Sequence, residues 1–234
     1  MIKKLKWDSD HFGTNIAELD AKKLNANQVI FDSYIQSEKI SIVQSCCEIS
    51  DIEAMNALEK NGFLFADIKM SYVINLTDAI ISKTDLLCAD KKDVPLLREI
   101  AAESFVGQSR YYHNLFDKNK ADDLYRMWIE KSVRGELDDV CFKIEHDGFP
   151  IGFITGKSLD DKSARIGIIG VNNKFQGKGA GSKLLNGLFR HYQLEGKERI
   201  YVSTQGKNRG ANNFYIKNGF KIDNIAVWFY KKCD

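Results

Sequence analysis

The sequence contains little proline, which interrupts helices and strands, and little cysteine, which can cross-link a chain. Of its 234 residues only two are proline, and five are cysteine, an odd number with no C-x-x-C pair. Such cysteines are typical of reduced thiols in a cytoplasmic protein and not of a disulfide framework. The four histidines stand far apart, none at the spacing of a metal site. We therefore expect a cytoplasmic protein without a metal centre.

A membrane segment and a block of like charges are also missing from the sequence. It has no run of 18 apolar residues, and no apolar stretch of a signal peptide follows the lysines near the N-terminus. The 34 basic and 32 acidic residues leave a net charge of +2 and are scattered along the chain. This pattern favours neither nucleic acid nor a membrane as a partner.

The order of apolar runs predicts an α/β or α+β fold. Short β-branched runs alternate with amphipathic helical segments, an arrangement that places helices on the faces of a sheet. A β-rich run gives way to polar residues near positions 75–85, which is where we expect a boundary. We predict an N-terminal domain over residues 1–80 and a second domain over 81–234, in which Asp93 caps the first helix.

Two segments of the chain repeat each other. Residues 211–220 read ANNFYIKNGF and residues 54–63 read AMNALEKNGF, with six of ten positions identical. In both places a strand, a short helix and a second strand are predicted. The shared Lys-Asn-Gly-Phe alone can be a helix C-cap with a buried Phe, but the common setting favours an old duplication. The second copy has Tyr215 where the first has Leu58.

The run IGIIGVNNKFQGKGAGSKLL, residues 166–185, carries the clearest chemical signal. A strand-like stretch leads through a polar turn into a glycine-rich loop and an amphipathic helix. Glycines let a backbone approach a ligand closely, and the free amides of a helix N-terminus suit a phosphate or pyrophosphate. The spacing fits neither a Walker P-loop nor a dinucleotide-binding fingerprint. A glycine-rich turn without a ligand is the alternative.

Together with a second motif, this run resembles the GNAT superfamily of acetyl-CoA-dependent acyltransferases. The pyrophosphate loop of that superfamily, [QR]-x-x-G-x-[GA], is matched by Gln176, Gly179 and Gly181. Its second signature is an Asn, an Ala three residues later, a Tyr four beyond that, and a Gly-Phe. The matching residues are Asn208, Ala211, Tyr215, Gly219 and Phe220. The resemblance covers about residues 84–234.

The resemblance implies a fold and a coenzyme site. The sheet would be mixed, mostly antiparallel and splayed between its fourth and fifth strands, with the N-terminal domain a partial copy. The co-substrate acetyl-CoA would lie in the splayed cleft. The implied coenzyme-binding residues are Ile168, Ile169, Gly170, Val171, Gln176, Gly177, Lys178, Gly179, Ala180, Gly181, Ser182, Asn208 and Phe214. From the residues alone, Asn208 can equally be a turn residue, and Gln176 can be a cap of the loop.

The resemblance also implies that Tyr215 is the catalytic acid. Attack of an amine on a thioester expels a thiolate, which needs a proton as it leaves. A phenol with a pKa of about 10 stays protonated at neutral pH and can donate that proton, whereas Leu58 cannot. A core tyrosine on an amphipathic helix is the alternative. The base can be a chain of water molecules, with His113 and Glu103 as further candidates; for both of these, a surface residue without a role in catalysis is the alternative.

Further motifs resemble one branch of the superfamily, the dTDP-4-amino-4,6-dideoxygalactose (dTDP-fucosamine) acetyltransferases of surface-polysaccharide biosynthesis. They include Trp7, WIEKSVRG at residues 128–135, Thr204-Gln205 and Trp228. In the superfamily, the segment at residues 107–116 covers the acceptor. Here Arg110 is a candidate contact for the diphosphate of a nucleotide-linked acceptor. Tyr111 or Tyr112 is a candidate to stack on the nucleobase of that acceptor. An ordinary solvated loop is the alternative.

Three functions follow from these patterns. The first is an N-acetyltransferase for a nucleotide-linked amino sugar, whose partners are acetyl-CoA and that small-molecule acceptor. The second is an acetyltransferase for protein N-termini, lysines or another small amine. The third is a non-catalytic acyl-CoA-binding protein, against which Tyr215 argues. The sequence leaves a homodimer open.

Overall fold

The computed structural model describes residues 2–24, 28–77 and 86–233. Most of the expected boundary at positions 75–85 therefore lies outside the described residues. The strands are β1 (Ile2–Lys4), β2 (Ile16–Leu19), β3 (Ile42–Glu48), β4 (Leu64–Asn75), β5 (Leu87–Cys88), β6 (Val140–His146), β7 (Phe149–Ser158), β8 (Ser163–Val171), β9 (Arg199–Gln205) and β10 (Lys221–Lys232). The helices are α1 (Lys6–Phe12), α2 (Gln28–Ser37), α3 (Ile52–Lys60), α4 (Val94–Phe105), α5 (Lys118–Val133), α6 (Ala180–Leu194) and α7 (Arg209–Lys217).

The strands form one ten-stranded sheet in the order β1-β2-β3-β10-β4-β9-β8-β7-β6-β5. The neighbours β2–β3 and β8–β9 are parallel, and the other pairs are antiparallel. The prediction of a mixed, mostly antiparallel sheet with helices on its faces is therefore confirmed. Among the helices of the described ranges, none combines the length and the apolar character needed to cross a membrane.

The sheet is splayed between β8 and β9, as the resemblance implies. These strands pair only over Ser163–Arg165 and Arg199–Tyr201, at the start of each. The remaining residues of β8, up to Val171, and of β9, up to Gln205, run without pairing to each other. Counting from β5, these are the fourth and fifth strands of the C-terminal part of the chain. The opening exposes main-chain groups that a sheet normally satisfies internally.

The two repeated segments have the same local structure. Each helix is capped by a side chain, because Asp51 accepts from the amide of Ala54 and Asn208 accepts from the amide of Ala211. Each helix ends at an asparagine and a left-handed glycine, Gly62 at φ +77° and Gly219 at φ +89°. A buried phenylalanine follows each glycine. This agreement supports the predicted duplication.

The two copies also exchange strands. β4, which follows the first helix, pairs with β9, and β10, which follows the second helix, pairs with β3. The exchanged strands lie side by side at the centre of the sheet. The division into domains 1–80 and 81–234 stays a prediction, and the hydrogen bonding of the sheet crosses it. The N-terminal copy has no splay, because all four residues of β2 pair with β3.

Asp93 does not cap α4 as predicted. Its carboxylate makes no hydrogen bond to an amide of the helix and instead binds the ammonium of Lys143 on β6, at 2.7 and 2.8 Å. Both side chains are 4 % exposed, and Glu145 contacts the same ammonium at 2.7 Å. A buried ammonium requires compensating charge, which explains why the carboxylate turns away from the helix amides.

Candidate active site

A cavity of about 490 Å³ opens where β8 and β9 diverge. Its walls come from the end of α4, the unpaired part of β8, the glycine-rich loop, the end of β9 and α7. The lining residues are Ser104, Phe105, Gly167, Ile168, Ile169, Gly170, Val171, Gln176, Gly177, Gly179, Gly181, Ser182, Ser203, Thr204, Asn208, Gly210, Ala211, Phe214, Tyr215, Lys217 and Asn218. Most of the predicted coenzyme-binding residues thus surround one space.

The glycine-rich loop adopts a backbone that other residues rarely reach. Gly177 and Gly179 have φ of +74° and +86°, in the left-handed region, and Gly179 precedes the first residue of α6. The first amides of this 15-residue helix have no partner within the helix. They therefore form a candidate anion site at the edge of the cavity, and the binding of a coenzyme pyrophosphate there stays a prediction.

Two further features fix the position of this loop and of the helix that follows it. The side-chain amide of Gln176 donates to the carbonyl of Val171 and to Oδ1 of Asn173, both at 2.9 Å, so that Gln176 ties the loop to the end of β8. A Cβ at Gly181 would lie 3.0 Å from the ring of Phe214. A glycine at this position therefore lets α6 approach α7 closely at the cavity wall.

The part of β8 that does not pair with β9 is held by a buried carboxylate, Asp138, which no sequence motif indicates. The register of β7 and β8 shifts at Thr155, whose hydroxyl accepts from the amide of Ile168 at 2.9 Å and donates to Asp138 at 2.7 Å. A Cβ on Gly167 would lie 2.2 Å from Oδ2 of Asp138. Only glycine at 167 leaves room for the carboxylate of Asp138 beside the bulge between β7 and β8.

Tyr215 lies in the wall of the cavity and is 5 % exposed as a residue. The ring packs between those of Tyr72, Phe214 and Phe220. Burial raises the pKa of Tyr215, with a smaller contribution from Tyr72. Its hydroxyl forms no hydrogen bond to any residue that the structure describes. The phenol is therefore protonated and available to a ligand.

Asn208, for which the sequence leaves a coenzyme contact and a turn residue as alternatives, is the N-cap of α7. Its Oδ1 accepts from the amide of Ala211 at 3.1 Å and so caps α7, and the residue also lines the cavity. The cap fixes the start of the helix that carries Tyr215. A hydrogen bond from Asn208 to the pantetheine stays a prediction.

Comparison with known proteins identifies the family. Residues 96–220 match the acetyltransferase (GNAT) family. The chain belongs to this family. It is 27 % identical, over 98 % of its own length and 97 % of the relative's, to a dTDP-fucosamine acetyltransferase of Escherichia coli O6:H1. GNAT enzymes transfer an acetyl group from acetyl-CoA to an amine, so that this chain is an acetyl-CoA-dependent N-acetyltransferase.

Solved structures show the same fold. A GCN5-related N-acetyltransferase from Sphaerobacter thermophilus superposes with a TM-score of 0.69, at 16 % identity, covering 99 % of this chain and 76 % of the other. A tandem GNAT protein from the clavulanic acid biosynthesis pathway superposes with a TM-score of 0.63, at 11 % identity, covering 94 % and 76 %. The GNAT fold therefore extends through both halves of the chain.

Two of the predicted coenzyme-binding residues, Lys178 and Ala180, do not line the cavity between β8 and β9. They face a second cavity of about 330 Å³ on the other side of the loop, together with Phe175 and Lys183. The ammonium of Lys178 lies 5.6 Å from the centre of the Phe175 ring. Their side chains therefore point away from the splay, and only their main-chain amides remain candidates for binding pyrophosphate.

The predicted acceptor contacts Arg110 and Tyr111 also lie outside the cavity lining. Nη1 of Arg110 donates to Gln44 at 2.6 Å and to Tyr230 at 2.5 Å, and Nη2 donates to the hydroxyl of Tyr111 at 2.6 Å. Tyr111 in turn donates to Asp8. The guanidinium thus already joins the N-terminal and C-terminal halves, and a direct contact with the acceptor stays a prediction.

The two candidate bases have different surroundings. Burial lowers the pKa of His113, and the charge of Lys207 lowers it further. Its imidazole is therefore neutral at pH 7, as a base requires. Glu103 is exposed and accepts from Asn173 at 3.4 Å. In the described ranges, no group of three or more His, Cys, Asp or Glu is placed to hold a metal ion.

Replacing Gly179 by Ala should weaken acetyl-CoA binding by about tenfold. A non-glycine residue at a left-handed φ costs about 1–2 kcal/mol, and relief of that strain would turn the amides of the loop. Nothing lies within 4 Å of the added methyl group, so that any effect is conformational. Calorimetric titration with acetyl-CoA measures the change.

Gly196 provides the matched control for this substitution. It has φ +78°, also with open space around a Cβ, and follows the far end of α6. Gly196→Ala should lose similar thermal stability while keeping the affinity for acetyl-CoA. Equal affinities in the two variants would contradict the anion site at the loop.

Proposed function

We propose that the protein transfers the acetyl group of acetyl-CoA to the amine of a nucleotide-linked amino sugar, of the dTDP-4-amino-4,6-dideoxygalactose kind, in surface-polysaccharide biosynthesis. The observation that carries the proposal is the extent of the similarity to the dTDP-fucosamine acetyltransferase of E. coli. It spans 98 % of this chain, including the N-terminal half that the family match over residues 96–220 leaves out.

The geometry supports an acetyl transfer at the splay. The free hydroxyl of Tyr215 and the unpaired main chain of β8 face one cavity. In this cavity the amine nitrogen would form a bond to the acetyl carbon, and the carbon–sulfur bond would break. Tyr215 would donate its proton to the leaving thiolate. Water would take the proton that the amine loses and could pass it to His113, which does not line the cavity, and the phenol would be restored from solvent.

A thiol-trapping assay tests the proposed function. With acetyl-CoA present, dTDP-4-amino-4,6-dideoxygalactose should accelerate CoA release by at least about 10²-fold over buffer, because a bound, oriented amine replaces water as the attacking group. A lysine-containing peptide and the N-terminal amine of the same peptide serve as competing acceptors. Faster release with the peptide, or no acceleration by any nucleotide amino sugar, would contradict the proposal.

A further inference from the structure

Four polar side chains form a cluster on the sheet face beside the coenzyme cavity. Asp67 of β4 is paired in register with Trp228 of β10, and Gln205 of β9 is paired with Lys69, two residues from Asp67. Because side chains two apart on a strand share a face, these three point to the same side of the sheet. Lys207 reaches Asp67 from the loop after β9. We call Asp67, Gln205, Lys207 and Trp228 the acceptor-side cluster.

Among the described residues, three atoms of this cluster are buried without a hydrogen bond, and only one of them, Oδ2 of Asp67, has an ion-pair partner, Lys207. Of six such side-chain atoms in the described part of the chain, three are Oδ2 of Asp67, Oε1 of Gln205 and Nε1 of Trp228. Asp67 is only 5 % exposed. Buried polar groups without partners are rare, and leaving one unmatched costs about 1–3 kcal/mol. Two acceptors and one donor at neighbouring positions therefore suit a ligand with complementary groups.

Lys207 covers the cluster from outside. Its ammonium lies 3.1 Å from Oδ2 of Asp67, without hydrogen-bond geometry, and donates to the carbonyl of Ser109 at 2.9 Å. The side chain is 42 % exposed, so that it can move aside at little cost. The place that its ammonium occupies, between a carboxylate and a carbonyl, is one that the amine or hydroxyl of a ligand would also fit.

Arg110 supports the cluster from behind. The centre of its guanidinium lies 4.1 Å from the ring of Trp228, and its Nη1 is anchored on Gln44 and Tyr230. This stacking holds the indole in one orientation. Arg110 therefore acts on this side of the protein by positioning Trp228.

The acceptor-side cluster adjoins the cavity along two segments of the chain. Ser203 lines the cavity and bonds to Ser71 at 3.0 Å, and Gln205 lies two residues further on the same face. Ser104 also lines the cavity, and the chain runs from it to Ser109, where Lys207 is bound. The cluster residues themselves do not line the cavity, but a ligand on the cluster would lie beside the part of β9 that does.

From this placement we propose that the acceptor-side cluster binds the amine-bearing sugar ring of the acceptor. Asp67 and Gln205 accept hydrogen bonds from its amine or hydroxyl groups, and Trp228 donates to one of its oxygens after Lys207 has moved aside. The proposal rests on the proposed function, since it takes the acceptor to be an amino sugar. It assigns Asp67, from the N-terminal half, to substrate recognition.

The substitution Asp67→Asn tests the assignment. Asparagine keeps the shape and the Oδ1 that accepts from the amide of Ile68 at 2.8 Å, but removes the charge. The acceptor KM should rise about 10- to 100-fold, because a hydrogen bond to a charged group is lost. The KM for acetyl-CoA and the heat of acetyl-CoA binding should stay within about twofold of the wild type, since the coenzyme loop is untouched.

Lys207→Met is the matched variant. If the Asp67–Lys207 pair only fastens a loop, this change removes the same ion pair and should raise the acceptor KM as Asp67→Asn does, which would overturn the proposal. If Lys207 instead competes with the acceptor, its removal should lower the acceptor KM. An unchanged acceptor KM in Asp67→Asn would also overturn the proposal.

The same experiment separates this proposal from the proposed function. A wild-type enzyme that acetylates no nucleotide amino sugar would contradict both. An enzyme that acetylates one, with a KM that does not respond to Asp67→Asn, would contradict the acceptor-side cluster alone.

Discussion

Replacing Tyr215 by Phe should lower kcat by about 10²–10⁴-fold, the range of a positioned proton donor. The substitution removes one hydroxyl and keeps the ring that packs against Tyr72, Phe214 and Phe220. Because that hydroxyl bonds to no described residue, its loss leaves no buried group without a partner. The fold and the affinity for acetyl-CoA should therefore be unchanged, and single-turnover kinetics measure the chemical step directly.

Tyr72→Phe is the control for this prediction. The hydroxyl of Tyr72 donates to Asn212 at 2.7 Å, and its ring centre lies 5.8 Å from that of Tyr215. Its removal should cost about 1 kcal/mol of stability with little change in kcat. Equal rates for wild type and Tyr215→Phe would contradict the role of the phenol and favour an enzyme in which solvent protonates the thiolate.

The pH dependence of kcat should also reflect a phenol that stays protonated. Burial raises the pKa of Tyr215, so the phenol holds its proton throughout the range in which the protein can be assayed. The wild type should show no alkaline loss of kcat that disappears in Tyr215→Phe. An alkaline limb present only in the wild type would mean that the phenol ionises within the assay range.

The glycine-rich loop could be predicted from sequence because its chemistry is local. Gly177 and Gly179 take backbone angles that glycine favours, and the helix that supplies the amides begins at the next residue, Ala180. Spacing within a few residues therefore fixes the geometry of an anion site. The cap of α7 by Asn208 is equally local, since Asn208 lies three residues from its partner Ala211, although the sequence alone indicates only a coenzyme contact or a turn residue at position 208.

The acceptor side could not be predicted because it depends on strand register across the whole chain. Asp67 and Trp228 are 161 positions apart in the sequence and become neighbours only because β4 and β10 pair at the centre of the sheet. The strand exchange itself has no local signal, since either copy could in principle have kept its own last strand. The charge of Arg110 predicts a contact with a diphosphate, but its observed partners Gln44 and Tyr230 come from distant strands.

The different surroundings of the two repeated segments explain why one copy has leucine and the other tyrosine. Leu58 is fully buried among apolar residues of the N-terminal half, beside a sheet whose parallel strands β2 and β3 stay paired. Tyr215 faces the opening between β8 and β9. A hydroxyl at position 58 would be buried among apolar side chains, whereas the hydroxyl of residue 215 lies at the wall of the cavity. The N-terminal copy instead contributes β4, with Asp67, to the other side of the site.

Replacing Lys143 by Met should lower the free energy of unfolding by about 3–5 kcal/mol, because it leaves a buried carboxylate without its partner. The ammonium of Lys143 bridges Asp93, at the start of α4, and Glu145 on its own strand. For a chain of this size the change corresponds to a fall in Tm on the order of 10 °C. Thermal unfolding by circular dichroism measures it.

Two variants separate the burial of this pair from its charge. Lys162→Met breaks the pair of Lys162 with Glu198, whose side chains are 60 % and 53 % exposed, and should change Tm little because solvent already screens that pair. The double change Asp93→Leu, Lys143→Met should recover part of the lost stability, since no buried carboxylate remains at position 93. A double variant less stable than Lys143→Met would contradict this explanation.

The stability difference between wild type and Lys143→Met should shrink at high pH. Burial lowers the pKa of Lys143, but the hydrogen bonds from its ammonium to Asp93 and Glu145 outweigh burial and leave the pKa raised. A group whose pKa is higher in the folded state stabilises the fold fully below its unfolded pKa, about 10.4 for lysine. That stabilisation is lost as the pH rises through the folded pKa. The two unfolding curves should therefore approach each other only above about pH 10.5, and convergence near neutral pH would show that the ammonium is not what holds α4 to the sheet.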